Sequence, residues 1–121
     1  GISSTSYTTA GGPVCGTPFI APQSGKVLVH IAAELDNTAS VTLMSFRLGT
    51  GSTIGAGTVI LGPSDDRSIA NTGSDQSRYG VPYLVTGLTP NAEYNAQTEH
   101  RITAGGSGTV SRRVLIVQPV P

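Results

Sequence analysis

The sequence predicts an all-β protein built as a single antiparallel β-sandwich. Three observations predict it. Apolar and polar residues alternate with period two in segment after segment. Clusters of Gly, Pro, Asn, Asp and Ser break the alternation roughly every ten residues, which gives about seven to nine short strands. No stretch of about ten residues carries the 3.6-residue apolar repeat of a helix. A chain of 121 residues is one domain's worth.

Residues 1–12 are small and polar, with Ile2 and Tyr7 as their only sizeable apolar points. They cannot form a core alone. They read as an extended N-terminal arm, either disordered or adding a strand to a neighbouring molecule. The sandwich itself takes residues 13–121. Lys26 to Glu34 is its clearest strand: Val27, Val29, Ile31 and Ala33 alternate with Leu28, His30, Ala32 and Glu34. Apolar residues fall on both faces, as in a central strand. Asp36-Asn37-Thr38 makes a turn through side chains that bond their own backbone.

Val41 to Leu48 follows, with Thr42, Met44, Phe46 and Leu48 on one face and Ser45 and Arg47 outward. Residues 49–57 form a glycine-rich loop, Thr58 to Leu61 a short strand, and residues 63–78 a long polar loop with Ser68 to Ala70 as a short strand. Tyr79 to Thr86 is a further strand, with Pro82, which cannot donate to a ladder, demoting part of it to an edge or a bulge. Glu93 to Ile102 alternates most cleanly, with Tyr94, Ala96, Thr98, His100 and Ile102 on one face. Thr109 to Gln118 is the last strand, with Val110, Val114 and Ile116 on one side and Leu115 and Val117 on the other. These periodicities fit jelly-roll and immunoglobulin-like connections equally well.

Composition narrows the function. Seven basic and seven acidic residues cancel, and charged residues make up only 12% of the chain. With one lysine and six arginines there is no basic footprint for nucleic acid or for an anionic membrane. No apolar run approaches the roughly 18 residues of a membrane span. No targeting segment is read at the start, and without an initiator Met the chain is expected to be a processed product or an excised domain. Sixteen glycines and 28 serines and threonines make a hydroxyl-rich surface of the sort that other protein covers. One cysteine, Cys15, forbids an internal disulfide and a multi-cysteine zinc site.

Chemistry is sought in few places. His30 and His100 both fall mid-strand, where a hydrogen-bonded structural role is expected rather than that of a base. Cys15 has no base or cation near it in sequence and reads as an inert thiol. Glu34, Asp36, Asp65 and Asp66 lie in or beside turns; they either cap those turns or offer calcium ligands, and no calcium-loop motif is present. No catalytic residue, cofactor or metal is therefore assigned. Arg47, Arg101, Arg112 and Arg113 sit on strands, with adjacent Arg112 and Arg113 on opposite faces. They are expected either to pair with Glu34, Glu93 or Glu99 across strands or subunits, or to be solvated. With Ile2 and Tyr7 of the arm they are the candidate interface residues. Of six aromatics, only Tyr79 and Tyr83 are left as exposed rings, too few for a dedicated sugar platform.

Local phrases resemble known families. Phe19-Ile-Ala-Pro22-Gln-Ser-Gly25 leading into an alternating strand resembles the opening of a strand in complement-type and tumour-necrosis-factor-like jelly rolls. Leu88-Thr-Pro90-Asn-Ala-Glu-Tyr94 is similar to the tyrosine corner of fibronectin type III and immunoglobulin-like sandwiches, in which the Tyr94 hydroxyl would bond a backbone carbonyl of the turn. The arm, the Phe19–His30 phrase and the run from Gly87 through His100-Arg101 to Arg113 together resemble the small Gly/Thr-rich sandwich proteins of tailed-phage particles.

That last resemblance implies a non-enzymatic virion protein. It would be a capsid decoration or cement protein on the virion surface, commonly a homotrimer, with the major capsid protein or another virion protein as partner. It leaves two alternatives. One is a tail-fibre receptor-binding domain, whose loops 49–57 and 63–78 would cluster at one end. The other is an extracellular adhesive or carbohydrate-binding module.

Overall fold

A computed structural model describes residues 1–121 as eight strands in two antiparallel sheets packed face to face, a β-sandwich. The strands are β1 (Gly16–Ile20), β2 (Val27–Asn37), β3 (Thr42–Thr50), β4 (Val59–Leu61), β5 (Ile69–Asn71), β6 (Ser77–Val85), β7 (Glu93–Ile102) and β8 (Gly108–Pro119). A single 3-10 turn, Asp65–Arg67, precedes β5. The first sheet runs β1-β7-β3, with β4 and β5 sharing the far edge of β3; the second runs β6-β2-β8. The β2–β6 and β3–β7 pairs have counterparts in immunoglobulin-like sandwiches. The outermost strands differ: β1 lies beside β7 and β8 beside β2, where that family puts its first strand beside its second and its last beside its sixth.

The core is what period two dictates. Val27, Val29, Ile31, Ala33 and Leu35 of β2 face Met44, Phe46 and Leu48 of β3, with Tyr94, Ile69, Val85 and Leu88 closing the ends. Phe46 is fully buried. Truncating it to alanine removes a ring and leaves a cavity, a change that costs about 3–5 kcal/mol at such sites.

Several sequence expectations are corrected. Pairing begins earlier than the alternation shows, because Gly16 and Pro18 hide β1 from a hydrophobicity count. In β8, Val110 shares the core-facing side with Leu115 and Val117, while Val114 and Ile116 face out. The cause is a β-bulge: Ala32 opposes Val114 and Glu34 opposes Ser111, so one residue of β2 faces both Arg112 and Arg113. The extra residue shifts the side-chain period by one. Arg112 takes the strained position, at φ 51, in the left-handed region usually left to glycine. Tyr83 is not an exposed ring; it packs against Phe46 at a tilted 6.2 Å and its hydroxyl donates to the Asp66 carbonyl.

The arm does not project toward a neighbour. It lies on its own chain, extending β1 along the same edge of β7. Thr8 exchanges two backbone bonds with His100, and Ile2 two with Gly108. Ile2 is buried there. Between Thr8 and Cys15 the chain leaves the edge and returns, turning through Gly11 at φ +100. The Arg113 guanidinium lies against Gly12 in that turn, in the space a Cβ would take.

Candidate functional site

Two assemblies of polar side chains and one bare apolar face are the candidates. The first assembly latches the arm. Arg101 of β7 grips Asp65 with two nitrogens, one of them Nε at 3.0 Å. Its guanidinium also lies 5.6 Å from the Tyr7 ring centroid, and the Tyr7 hydroxyl donates to the same carboxylate at 2.7 Å. Hydrogen bonds from Arg101 and then Tyr7 hold the Asp65 carboxyl below its ordinary range. The carboxylate in turn raises the Arg101 value, while burial, followed by the bond to Asp65, drives the phenol of Tyr7 upward. Charge-assisted bonds of this kind fix geometry more than they add stability at a half-exposed site. Both partners of the Asp65 carboxylate, an arginine and a phenol, are thus supplied by the chain itself.

Across the sheet, His100 points inward and is buried. Its Nε2 donates to the Ala10 carbonyl at 2.6 Å, and Nδ1 has no hydrogen-bond partner. Burial lowers its pKa, opposed by the bond to Ala10 and reinforced by the Arg113 charge. His100 bonds this turn of the arm at Ala10, and the Arg113 side chain lies beside it at Gly12.

The second assembly covers the outer face of the first sheet. Asn95 is fully buried. Its Nδ2 donates to the carbonyls of Gly51 and Thr50 at 3.1 and 3.2 Å, and its Oδ1 accepts the Gly55 N–H at 3.0 Å. Arg47 donates to the carbonyls of Ala56 and Gly57, both at 3.1 Å. Ser45 donates to the Arg67 carbonyl and accepts the Ser64 N–H. Loop 49–57 and the segment around Ser64 are thus folded down onto the sheet, not gathered at one end of the sandwich.

Arg47 therefore meets backbone carbonyls, not a carboxylate. Arg112 pairs with Glu34 at 3.0 Å. Leu88 and Pro90 flank the turn before β7. The Tyr94 oxygen accepts the Thr89 N–H at 2.8 Å, in place of the expected donation to a carbonyl, and the Thr89 carbonyl closes the turn with Ala92. Cys15 is half-buried and gives its carbonyl to Thr98. His30 lies on the outer face of the second sheet, bonded through Nε2 to Gln118 at 3.0 Å. The two imidazoles therefore belong to different sheets, each with a structural partner. No three His, Cys, Asp or Glu side chains converge as metal ligands. Sequence reading missed Asn95 and Ser45. The available signal was an Asn in a strand, where it is disfavoured, near a loop of glycines whose amides and carbonyls need partners.

The third candidate is the outer face of β6-β2-β8. Leu84 and Ile116 are 57% and 54% exposed there. A shallow trough of about 440 Å³ on this face is lined by His30, Ala32, Gly80, Pro82, Val114 and Ile116 among others. No loop crosses it. No protein-family model, no curated protein and no solved structure matches the chain.

Proposed function

We propose that this chain is a non-enzymatic structural protein that works by holding neighbouring protein subunits together on a particle surface. The observation that carries the reading is the contrast within one small domain. Its arm and loops are tied down by its own side chains, while the outer face of the β6-β2-β8 sheet leaves Leu84 and Ile116 exposed. A contiguous apolar face on a small domain is the mark of a contact surface. A neutral, charge-poor, hydroxyl-rich exterior fits the same role, because little must be desolvated on docking.

The setting we propose is the surface of a tailed-phage capsid, as a decoration protein. Copies of the chain and the major capsid protein are its partners. Each contact is modest, and many copies on one shell reinforce each other. The test is co-sedimentation of the purified chain with tailed-phage shells stripped of accessory surface proteins. Saturable binding at a fixed ratio to the capsid protein supports the reading, and failure to bind any such shell overturns it.

A further inference from the structure

We propose that Thr98, His100 and Arg113 form a binding site for a small inorganic anion of chloride size, set between the two sheets beneath the turn of the arm at residues 9–14. The site is separate from the bare sheet face and goes beyond the contact role proposed above.

Two strands and the arm bring the groups together. Thr98 and His100 are successive inward positions of β7, and both are 1% exposed. Two residues along a strand rise about 6.6 Å, so their side chains stand side by side on the inner face. Arg113 comes from the facing sheet. Counting on from inward Val110, plain alternation turns position 113 outward. The bulge at Arg112 turns it inward instead, to the side of Leu115 and Val117. Its guanidinium lies against the arm at Gly12, and the His100 ring bonds the same turn at Ala10. A non-glycine residue is thus held at φ 51, and the result is a cation aimed between the sheets. Bulges that re-aim a side chain, and strain kept in the backbone, cluster at binding sites.

Each of the three groups lacks a partner within the chain. Thr98 Oγ1 and His100 Nδ1 are buried and unbonded. The two ion pairs of the protein are Arg101–Asp65 and Arg112–Glu34, so the half-buried Arg113 has no carboxylate. The other groups around His100 do not supply one. Cys15, just before β1, stands opposite Thr98. Glu99 points to the outer side of β7, where it accepts from Gln97. β3 places Met44 opposite His100, and the arm offers a backbone carbonyl. Buried donors and an inward cation without an acceptor are costly, and one anion satisfies them together.

The chemistry fits a single ion. Thr98 donates its hydroxyl and Arg113 its N–H groups. His100 donates from Nδ1 once that nitrogen takes a proton, while Nε2–H stays on Ala10. An ion roughly 3.2 Å from each of two donors spans the spacing of positions 98 and 100. A carboxylate on a partner chain cannot reach two buried side chains with the arm in place, which leaves a free ion. Because burial and the Arg113 charge both oppose protonation of His100, a bound anion must favour it.

NMR titration of the two imidazoles tests the site, in chloride and in gluconate, an anion too large for the corner. Both salts are used at an ionic strength of about 0.2 M, so that screening is equal. His100 is expected to take its second ring proton about one pH unit higher in chloride, while His30, on the outer face of the other sheet, titrates alike in both. The amides of Thr98, His100 and Gly12 should shift saturably with one Kd, on the order of 10 mM. Arg113→Gln should lose the chloride dependence. Thr98→Val, which keeps the side-chain shape, should bind chloride about tenfold more weakly. If Arg113 only fills space beside Gly12, His100 titrates identically in the two salts, and the inference fails. A chloride response that survives unchanged in Arg113→Gln overturns it as well. The wild-type comparison needs no variant, so a substitution that does not fold leaves the test decisive.

Discussion

The outer face of the five-stranded sheet is polar in sequence yet largely buried, whereas the outer face of the three-stranded sheet leaves large apolar side chains exposed. Asn95, Ser45 and Gln97 on the first are as buried as core residues, and Leu84 and Ile116 on the second are more than half exposed. The difference is one of connections. Loop 49–57 and the segment before β5 turn back over the first sheet, and backbone that is covered must find partners. Asn, Ser and Arg supply them with fixed geometry. No connection returns over the second sheet, so its outward positions are free to be apolar. The comparison teaches that polarity here marks where the chain covers itself, and its absence marks where something else must.

The strongest way to break that contrast is Asn95→Ala. The substitution strands the carbonyls of Thr50 and Gly51 and the Gly55 N–H inside a covered site. Unpartnered buried groups cost about 1–3 kcal/mol each when solvent cannot replace the bond, and partial opening of the loop limits the total to about 3 kcal/mol. For a domain of this size that lowers Tm by about 10 °C. Calorimetry checks the number, and hydrogen exchange should show faster exchange confined to residues 49–57. A Tm within about 2 °C of wild type would mean the loop is not held by this side chain.

Much of this fold was legible in the alternation, and what was not has physical causes. The core faces of β2, β3 and β7 could be read residue by residue, because side chains on a half-buried strand must alternate. The inward side of β8 could not, because a bulge at Arg112 shifts the period without changing the composition. The arm was visible as a segment, but its partner was not, because a strand edge on the same chain and one on a neighbour offer identical hydrogen bonds. For the candidate sites, Arg101 and Tyr7 stood out as a cation and a ring, yet Asp65 as their shared partner is a long-range pairing that spacing cannot reveal.

Acid should undo the arm before it undoes the core. His100 is buried with Nδ1 unpartnered, so the folded state resists a second ring proton that the unfolded chain takes up near pH 6.5. The unfolded state then binds more protons, and stability falls as pH drops through about 6.5, with a slope of at most about 1.4 kcal/mol per pH unit. The loss levels off below the folded value. Asp65 adds a second loss in stronger acid, as pH falls through the ordinary carboxylate range toward its depressed folded value. Denaturant melts of wild type and His100→Gln between pH 7.5 and 5 check the first step, where the variant should show a flat profile. An unchanged slope in the variant would assign the titration elsewhere.

A smaller effect is expected from Tyr7→Phe. It removes the donation to Asp65 but keeps the ring beside Arg101. The cost is about 0.5–1 kcal/mol, felt locally. The Thr8 amide, which bonds the His100 carbonyl, should exchange faster, while amides in the middle of β3 do not change. Equal acceleration at both would show that the arm and the core open as one unit.

The smallest effect belongs to the bare face. Leu84→Ser is a large apolar-to-polar change in the middle of a strand, and in a covered sheet it would cost several kcal/mol. Here the side chain is 57% exposed and sits on the side of β6 away from the core, so little apolar burial is lost within the monomer. Serine gives up some strand propensity and gains hydration, and the net change in a dilute sample should stay within about 0.5 kcal/mol. A urea melt at low protein concentration measures it. A cost above about 1.5 kcal/mol would mean that Leu84 is already packed against its own chain, and the two faces would no longer differ in kind. A neutral result separates the two demands on this sheet: its inner face holds the domain together, and the residues on its outer face are chosen for something the single chain does not contain.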